Sequence, residues 1–345
     1  MGILSGQSDF FGLDIGTSAL RAVELKGGGQ VKALAHYSYM PIEGTAALSD
    51  SALDRQKVSQ AIRELIKQSG IDTKNVAVNL PSQKVFTTTV DLDRIMEADL
   101  AKTIRYQADS IIPTPIAQSK VDFLVIGDSP IDPKKIEVLL SSVPNNFIED
   151  RLEILEAAGL NAIAMESDSM ALARSLTSPE VALPQMVLDI GNTTTDLVIV
   201  ISGVPRLTRS ISTGLQAIIR AAMQQPGIDA AQATQYVMKF GLGRDKLEGQ
   251  IYQAILPTID GLMNEIEKSI QFFHGRYGAA KIDRIIVTGA ASVLPELPLY
   301  IANKFGLNVE IGNSWRNVSV PVDKQNELLA QSNHFAVAVG MAERD

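Results

Sequence analysis

Leu13-Asp14-Ile15-Gly16 recurs letter for letter as Leu188-Asp189-Ile190-Gly191, and small polar side chains follow both copies: Thr17 and Ser18, then Asn192, Thr193 and Thr194. A strand that ends in Asp-Ile-Gly and turns at once sets a carboxylate at the rim of a sheet, while the glycine lets backbone N–H groups approach an anion closely. Carboxylates repel a polyphosphate. Asp14 and Asp189 would therefore act through hydrated Mg2+, a cation that keeps several waters and takes few carboxylates. The hydroxyls and amides that follow are phosphate donors. Taken singly, either turn would serve as a plain hairpin with Gly at positive φ and Asp closing the turn. Two matched copies favour the phosphate reading.

The elements that must hold these turns also repeat. Without gaps, Leu13 to Leu25 lies over Leu188 to Val200, and a repeat so widely separated implies two related domains. A chain of 345 residues exceeds what one hydrophobic core usually serves. Alternation predicts strands over Phe10 to Ile15, Leu20 to Lys26 and Val31 to Tyr39, with Gly27-Gly28-Gly29 as a hairpin. Helical spacing of Val58, Ile62, Leu65 and Ile66 predicts a helix over Leu53 to Gln68, ended at Gly70 and followed by a strand from Val76 to Leu80.

The stretch from Pro81 to Asn161 has a different character. It reads as an extended run Val85 to Leu92, a helix Ala98 to Ser110, strands Lys120 to Ile126 and Ile136 to Ser142, and a helix Asn146 to Ala158. A strand Asn161 to Met165 and a helix Met170 to Leu176 precede a boundary at Pro179 and Pro184. The domain division expected is thus 1–80 plus 162–184, an inserted α+β subdomain 81–161, and a second domain 185–345 whose last helix returns towards the first. In that second domain the strands are Met186 to Ile190, Thr195 to Ser202, Pro205 to Ile211, Arg284 to Thr288 and Asn308 to Ile311. Its helices are Thr213 to Gln224, Ala230 to Phe240, Gly249 to Arg276, Leu297 to Phe305 and Phe335 to Met341. Gly289-Ala290-Ala291-Ser292 makes a third turn with a glycine at a strand end.

Composition narrows the function classes. A formal charge of −8 argues against nucleic-acid binding, which shows a basic face. The chain has no cysteine, hence no disulfide framework or thiolate metal site, and His36, His274 and His334 are scattered. No run approaches the roughly 18 apolar residues of a membrane span, and the N-terminus lacks the order of a signal peptide. A soluble, cytoplasmic protein is expected. Met1-Gly2 invites myristoylation, but Gly6 stands where that motif wants Ser or Thr. Membrane association should then come through a partner.

Gly12 to Ser18, Leu188 to Asp196 and Val287 to Ser292 resemble the phosphate-1, phosphate-2 and adenosine turns of the actin/sugar-kinase/heat-shock-chaperone superfold, in the same order across nearly the whole chain. The resemblance implies an α/β, duplicated actin-like (ribonuclease-H-like) ATPase fold with an inserted α+β subdomain. Within that group, the insertion, the Ile112-Pro113-Thr114-Pro115 segment behind the helix carrying Tyr106, and the length are similar to the PilM family of type IV pilus assembly. That family implies ATP in a cleft between the halves, with Asp14 and Asp189 near Mg2+. Gly12, Gly16, Thr17, Ser18, Gly191, Asn192, Thr193 and Thr194 would serve the phosphates, and Gly289, Ala290 and Ser292 the adenosine. It implies as partner the cytoplasmic N-terminal tail of the single-span inner-membrane protein PilN, in a groove beside the inserted subdomain. Other platform components and the motor are further partners it suggests, at the inner face of the inner membrane, and self-association stays open.

This chain departs from the pattern where relatives carry Gly-Gly and it has Gly289-Ala290. Thr234 and Val237 align where relatives place Glu and Lys, and a shift would bring in Lys239. No side chain stands out as catalytic, so slow hydrolysis at most is expected. The alternatives are an FtsA-like cell-division actin homologue, whose amphipathic C-terminal helix has no counterpart after Met341, and a small-molecule phosphotransferase, for which 81–161 offers no acceptor pocket. No second substrate-binding domain suits a chaperone. Phe272-Phe273-His274 reads as core packing with a rim histidine, and Glu166 and Asp168 as helix N-terminal charges. Ala171, Ala173, Ala336, Ala338 and Gly340 would let two helices cross closely, as a hinge or as static packing.

Overall fold

The structure, a computed structural model, describes residues 9–344 apart from 28, 30, 43, 45, 95, 96, 226, 246–248 and 279. The Met1-Gly2 terminus with Gly6, and Gly28 of the first hairpin, lie outside the described residues. The first half holds strands β1 (Phe11–Ile15), β2 (Ala19–Lys26) and β3 (Lys32–Pro41), helix α1 (Ala52–Ser69) and β4 (Asn75–Leu80). Next come β5 (Phe86–Asp93), α2 (Glu97–Ile111), β6 (Ser119–Asp128), β7 (Lys135–Pro144), α3 (Asn145–Ala157), β8 (Asn161–Ser167) and α4 (Asp168–Leu176). The second half has β9 (Gln185–Ile190), β10 (Thr195–Ile201), β11 (Val204–Ile211), α5 (Leu215–Ala222), α6 (Ala230–Phe240) and α7 (Gln250–Tyr277). It closes with β12 (Arg284–Thr288), α8 (Leu297–Phe305), β13 (Asn308–Ile311), β14 (Val318–Ser319), α9 (Gln325–Ala330) and α10 (Ser332–Ala342).

Two sheets share one plan. In the first the order is β14-β3-β2-β1-β4-β8, in the second β11-β10-β9-β12-β13. Each contains an antiparallel meander of three strands, after which the chain crosses over to pair in parallel with the meander's first strand. The letter-for-letter repeat is therefore a repeat of topology, and the fold is the duplicated α/β actin-like one. Strands β1 and β9 are central and buried, which is why Phe11–Ile15 and Met186–Ile190 read as runs without charge apart from Asp14 and Asp189.

The helices follow from pattern and caps. Val58, Ile62 and Leu65 put one stripe of α1 into the core, and Gly70, at φ 78°, ends the helix in the left-handed region. Asp229 and Gln232 form a reciprocal capping box that starts α6. Between the halves, β5-β7-β6 form a separate three-stranded sheet on which α2 packs through Leu100, Ile104 and Ala108. Helix α3, expected in that insertion, instead sends Ile154 and Leu155 into the core beneath the first sheet. Its apolar stripe fits α1 because both helices cover the same sheet face.

The chain's last elements return to the first half. Short β14 pairs with β3, and α10 packs over β1 and β2 through Phe335, Ala338 and Val339. Helix α10 is buried nearly all round, including Ala336 and Ala338 at its crossing with α4. Close approach demands small residues here. A Cβ on Gly340 would stand 2.1 Å from the Ala171 carbonyl oxygen, and one on Gly12 2.3 Å from that of Ala338. Neither β14 nor α9 was foreseen, since two or six residues carry too little periodicity to register.

Candidate functional site

The two repeated turns face each other at the ends of β1 and β9. Each closes in the same way: the Gly16 N–H donates to the Ala19 carbonyl at 3.1 Å and the Gly191 N–H to that of Thr194 at 2.9 Å. Across the gap the Thr193 hydroxyl donates to the Thr17 hydroxyl at 3.4 Å, and Gln83 Nε2 donates to the Thr194 hydroxyl at 3.2 Å. Among the described residues, the amides of Thr17, Ser18, Asn192, Thr193 and Thr194 have no hydrogen-bond partner, which leaves five donors at the turns. Asp14, Gly16, Thr17, Ser18, Asp189, Gly191, Asn192, Thr193, Thr194, Gly289 and Ala290 all line the cleft. Residues of both halves line it, from Asp14 and Arg21 on one side to Asp189, Asp196 and Gly289 on the other.

Gly12 and Ser292, expected at the ligand, lie elsewhere. Gly12 sits within β1 beneath α10, so its missing side chain serves helix packing. Ser292 is fully buried and donates its hydroxyl to the Gly289 carbonyl at 2.7 Å, which ties the third turn to itself. Asn333 of α10 also clasps that turn, donating Nδ2 to the Gly289 carbonyl at 3.0 Å and accepting from the Gly289 N–H at 2.9 Å. Gly289 has φ +87°, and a Cβ there would meet Asp189 Oδ1 at 2.2 Å. Thr234, exposed, and Val237, buried in the second core, do not line the cleft, and Lys239 lies over the Phe240 ring.

The charges at the cleft are unequal. Register places Arg21 opposite Asp14 on the first sheet and Asp196 opposite Asp189 on the second, so one duplicated position carries opposite signs. Arg21 Nη1 donates to Asp14 Oδ2 at 2.8 Å. Burial nevertheless raises the Asp14 pKa, with Arg21 opposing. Burial pushes Asp189 up to about 7, with Asp196 and Asp14 adding to the rise, and Asp196 up to about 6. Asp168 at the start of α4 is more than a helix-terminal charge: it lines the cleft, accepts from Asn79 Nδ2 at 2.8 Å, and burial with the neighbouring carboxylates holds its pKa well above the ordinary range. Near them Arg151 of α3 is buried with Nε and Nη1 unbonded, and burial lowers its pKa to about 10. Among the described residues no three metal-ligating side chains converge.

A second concavity lies between the three-stranded sheet and the first half. Lys120, Val121, Asp122, Phe123 and Leu124 of β6 and Leu139, Ser141 and Val143 of β7 form one wall; Ile148, Met165 and Met170 are opposite. Glu166 and Arg344 also line it as an ion pair at 3.1 Å, the Glu166 carboxylate held in addition by Arg174 at 2.7 Å. The groove is long and open, bordered by residues from two strands of the three-stranded sheet and from α3, β8 and α4, a shape that suits an extended peptide segment. Phe273 is core and His274 exposed, as the packing reading expected, but Phe272 is 65% exposed: it falls on the solvent face of α7, one position round the helix from the core stripe.

A family model described as "Type IV pilus assembly protein PilM" matches residues 12–345. The chain belongs to the PilM family of type IV pilus assembly proteins. Among solved structures, "PilM-PilN type IV pilus biogenesis complex" is similar with TM-score 0.83, at 24% identity over 97% of this chain and 98% of that one. The ethanolamine utilization protein EutJ from Carboxydothermus hydrogenoformans aligns at 15% identity with TM-score 0.58, over 96% of this chain and 88% of its own. MreB 5 of Spiroplasma citri bound to AMPPNP aligns at 14% identity with TM-score 0.55, covering 97% and 95%. These likenesses establish the fold.

For this PilM-family chain, sequence reasoning missed Arg21, Asn79, Gln83, Asp168, Asp196, Asn333 and His334 as cleft residues. Two were within reach: Arg21 and Asp196 fall on one another in the ungapped repeat, each on the strand after its Asp-Ile-Gly turn. The others arrive through long-range packing. Among the described residues no helix is long and apolar enough to cross a membrane.

Proposed function

We propose that this PilM-family chain is an ATP-binding scaffold of type IV pilus assembly that holds the cytoplasmic N-terminal tail of PilN, working at the inner face of the inner membrane. The observation that carries the nucleotide half of this reading is the set of five unpartnered turn amides at one cleft, contributed by both halves. Buried or half-buried amides without partners are costly, and an anion is their natural acceptor. Thr17, Ser18, Asn192, Thr193 and Thr194 would hold the phosphates and Gly289 with Ala290 the adenosine. Asp14 and Asp189 would take a hydrated Mg2+, which supplies charge neutralisation between phosphate oxygens. Arg21 and His334 complete the polar wall.

The groove between β6, β7 and the first half is the proposed tail site. Its lining sets Val121, Leu124, Leu139, Ile148, Met165 and Met170 beside the charged Lys120, Asp122, Glu166 and Arg344, and a similar structure bears the name of a PilM-PilN complex. The domain division supports this: we read the three-stranded sheet with α2 as the partner-binding module and α3 as part of the first domain. Family membership favours this reading over an FtsA-like or phosphotransferase role.

Calorimetric titration tests both halves at once. Saturable one-to-one binding of Mg-ATP, and separately of a peptide copying the PilN N-terminus of the same organism, is expected. Absence of either binding removes that half of the proposal.

A further inference from the structure

The groove shows an asymmetry between its two strands. On β7 every second residue, Leu139, Ser141 and Val143, faces it, as one side of a sheet does. On β6 five consecutive residues, Lys120 to Leu124, border it. A concavity that touches both alternating sets of a strand must wrap around that strand's edge, and β6 is an edge: it pairs with β7 alone in the order β5-β7-β6.

The hydrogen bonds agree. Antiparallel residues alternate between those that bond to the partner strand and those whose N–H and C=O point away. The Phe123 N–H donates to the carboxylate of the preceding Asp122 at 2.8 Å, so it points away from β7 and is capped only by a mobile side chain. Val121 has the same parity, with no register shift between them. Further along the strand Leu124 and Val125 are 43% and 45% exposed. An edge with apolar side chains and open backbone groups is a template for pairing, and proteins normally guard it.

We propose that an extended segment of the partner tail adds to the three-stranded sheet as a fourth strand along β6. This rests on the groove being the tail site and goes further by fixing how the tail is read. Main-chain bonds to Val121 and Phe123 hold the segment. Its alternate side chains face Ile148, Met165 and Met170, with the Glu166–Arg344 pair beside them. The bordering stretch of five β6 residues spans about 17 Å. The partner segment is therefore about five residues long, apolar at every second position, and free of proline where its N–H meets β6.

A scan of single backbone N-methylations along the PilN peptide reads this directly, by calorimetry against the full chain. Affinity is expected to fall about tenfold or more at every second position and to change less than about threefold between them, since each main-chain bond lost leaves an unpaired group. Val121→Pro removes an outward N–H while leaving the β7 ladder intact; it should weaken the tail about tenfold and leave Mg-ATP binding unchanged. If Val121→Pro does not fold, the N-methyl scan decides alone. A tail that binds without two-residue alternation overturns strand addition and leaves the groove reading standing. A tail that does not bind at all overturns both. A peptide-free dimer dissolved by Val121→Pro would give the edge to a second copy of the chain and overturn the proposal.

Discussion

The Tyr277 hydroxyl, on the last turn of α7, donates to the Glu137 carboxylate of β7 at 2.6 Å and so fastens the second half of the chain to the three-stranded module. Glu137 is buried and also accepts from Arg276 Nε and Arg206 Nη1, both at 2.8 Å. Arg276 further makes a two-pronged pair with Asp91, and Arg206 donates to the Ile126 carbonyl at 2.8 Å. All three module strands are thus tied to β11 and α7, while the module's groove opens towards the first half. Burial and the Glu137 charge both raise the Tyr277 pKa, which keeps the hydroxyl a donor.

Glu137→Ala should be among the most destabilising single changes in the molecule. It removes the buried acceptor shared by Arg206, Arg276 and Tyr277, leaving Arg276 its pair with Asp91 and Arg206 its bond to the Ile126 carbonyl, a loss of about 3 kcal/mol for a broken buried pair. Urea denaturation, read as the shift of midpoint at constant slope, measures it. A double change with Tyr277→Phe should be less than additive, because both remove one hydrogen bond.

Asp189→Ala should weaken Mg-ATP binding more than Asp14→Ala does. Arg21 already half-neutralises Asp14, so that carboxylate has less charge to offer a cation. Losing a charge-assisted contact of about 1.5–3 kcal/mol predicts a roughly ten- to hundredfold fall for Asp189→Ala. Isothermal titration at matched Mg2+ compares the two; equal losses would refute the assigned roles.

The nucleotide-free chain should lose stability as pH rises through the neutral range. Asp189 sits near 7 in the fold against an ordinary 3.8, and Asp196 near 6, so the folded state holds protons that the unfolded chain has released. Their contribution is complete below about pH 4 and is lost as pH climbs past the folded values, at about 1.4 kcal/mol per pH unit of displacement. Asp189→Asn should flatten this slope between about pH 4 and 7, measured by urea midpoints.

Gly289→Ala should damage both the fold and the cleft. The residue has φ +87°, and the added methyl would press on the Asp189 carboxylate. A cost of about 1–3 kcal/mol follows from the backbone alone. Ala290→Gly touches neither constraint and is expected to keep stability within about 1 kcal/mol while raising nucleotide affinity, measured by thermal melting and titration.

The paired turns were legible because strand, carboxylate and glycine repeat in order, and the topology turned out to repeat with them. Boundaries of α6, β12, α8 and β13 were read to the residue, since each is flanked by turn chemistry or a clean apolar run. The sequence hides what only crossing elements create. Asn79 and Asp168 meet because β4 and α4 converge at the cleft floor from far apart in the chain. Gly12 resembled a phosphate glycine because nothing local announces the helix lying on it. The apolar stripe of α3 could serve either neighbouring sheet, and sequence alone does not say which.

The return of the chain's end to its beginning sets a timetable for synthesis. Val23 of β2 packs with Trp315, Phe335 and Val339, and the outermost strand of the first sheet is β14. A ribosome that has made the first 180 or so residues has therefore made a half whose sheet lacks its edge and whose apolar face lacks its cover. Until residue 342 emerges, that face stays open to water and to chaperones, and the N-terminal half is the last part of the molecule to become complete.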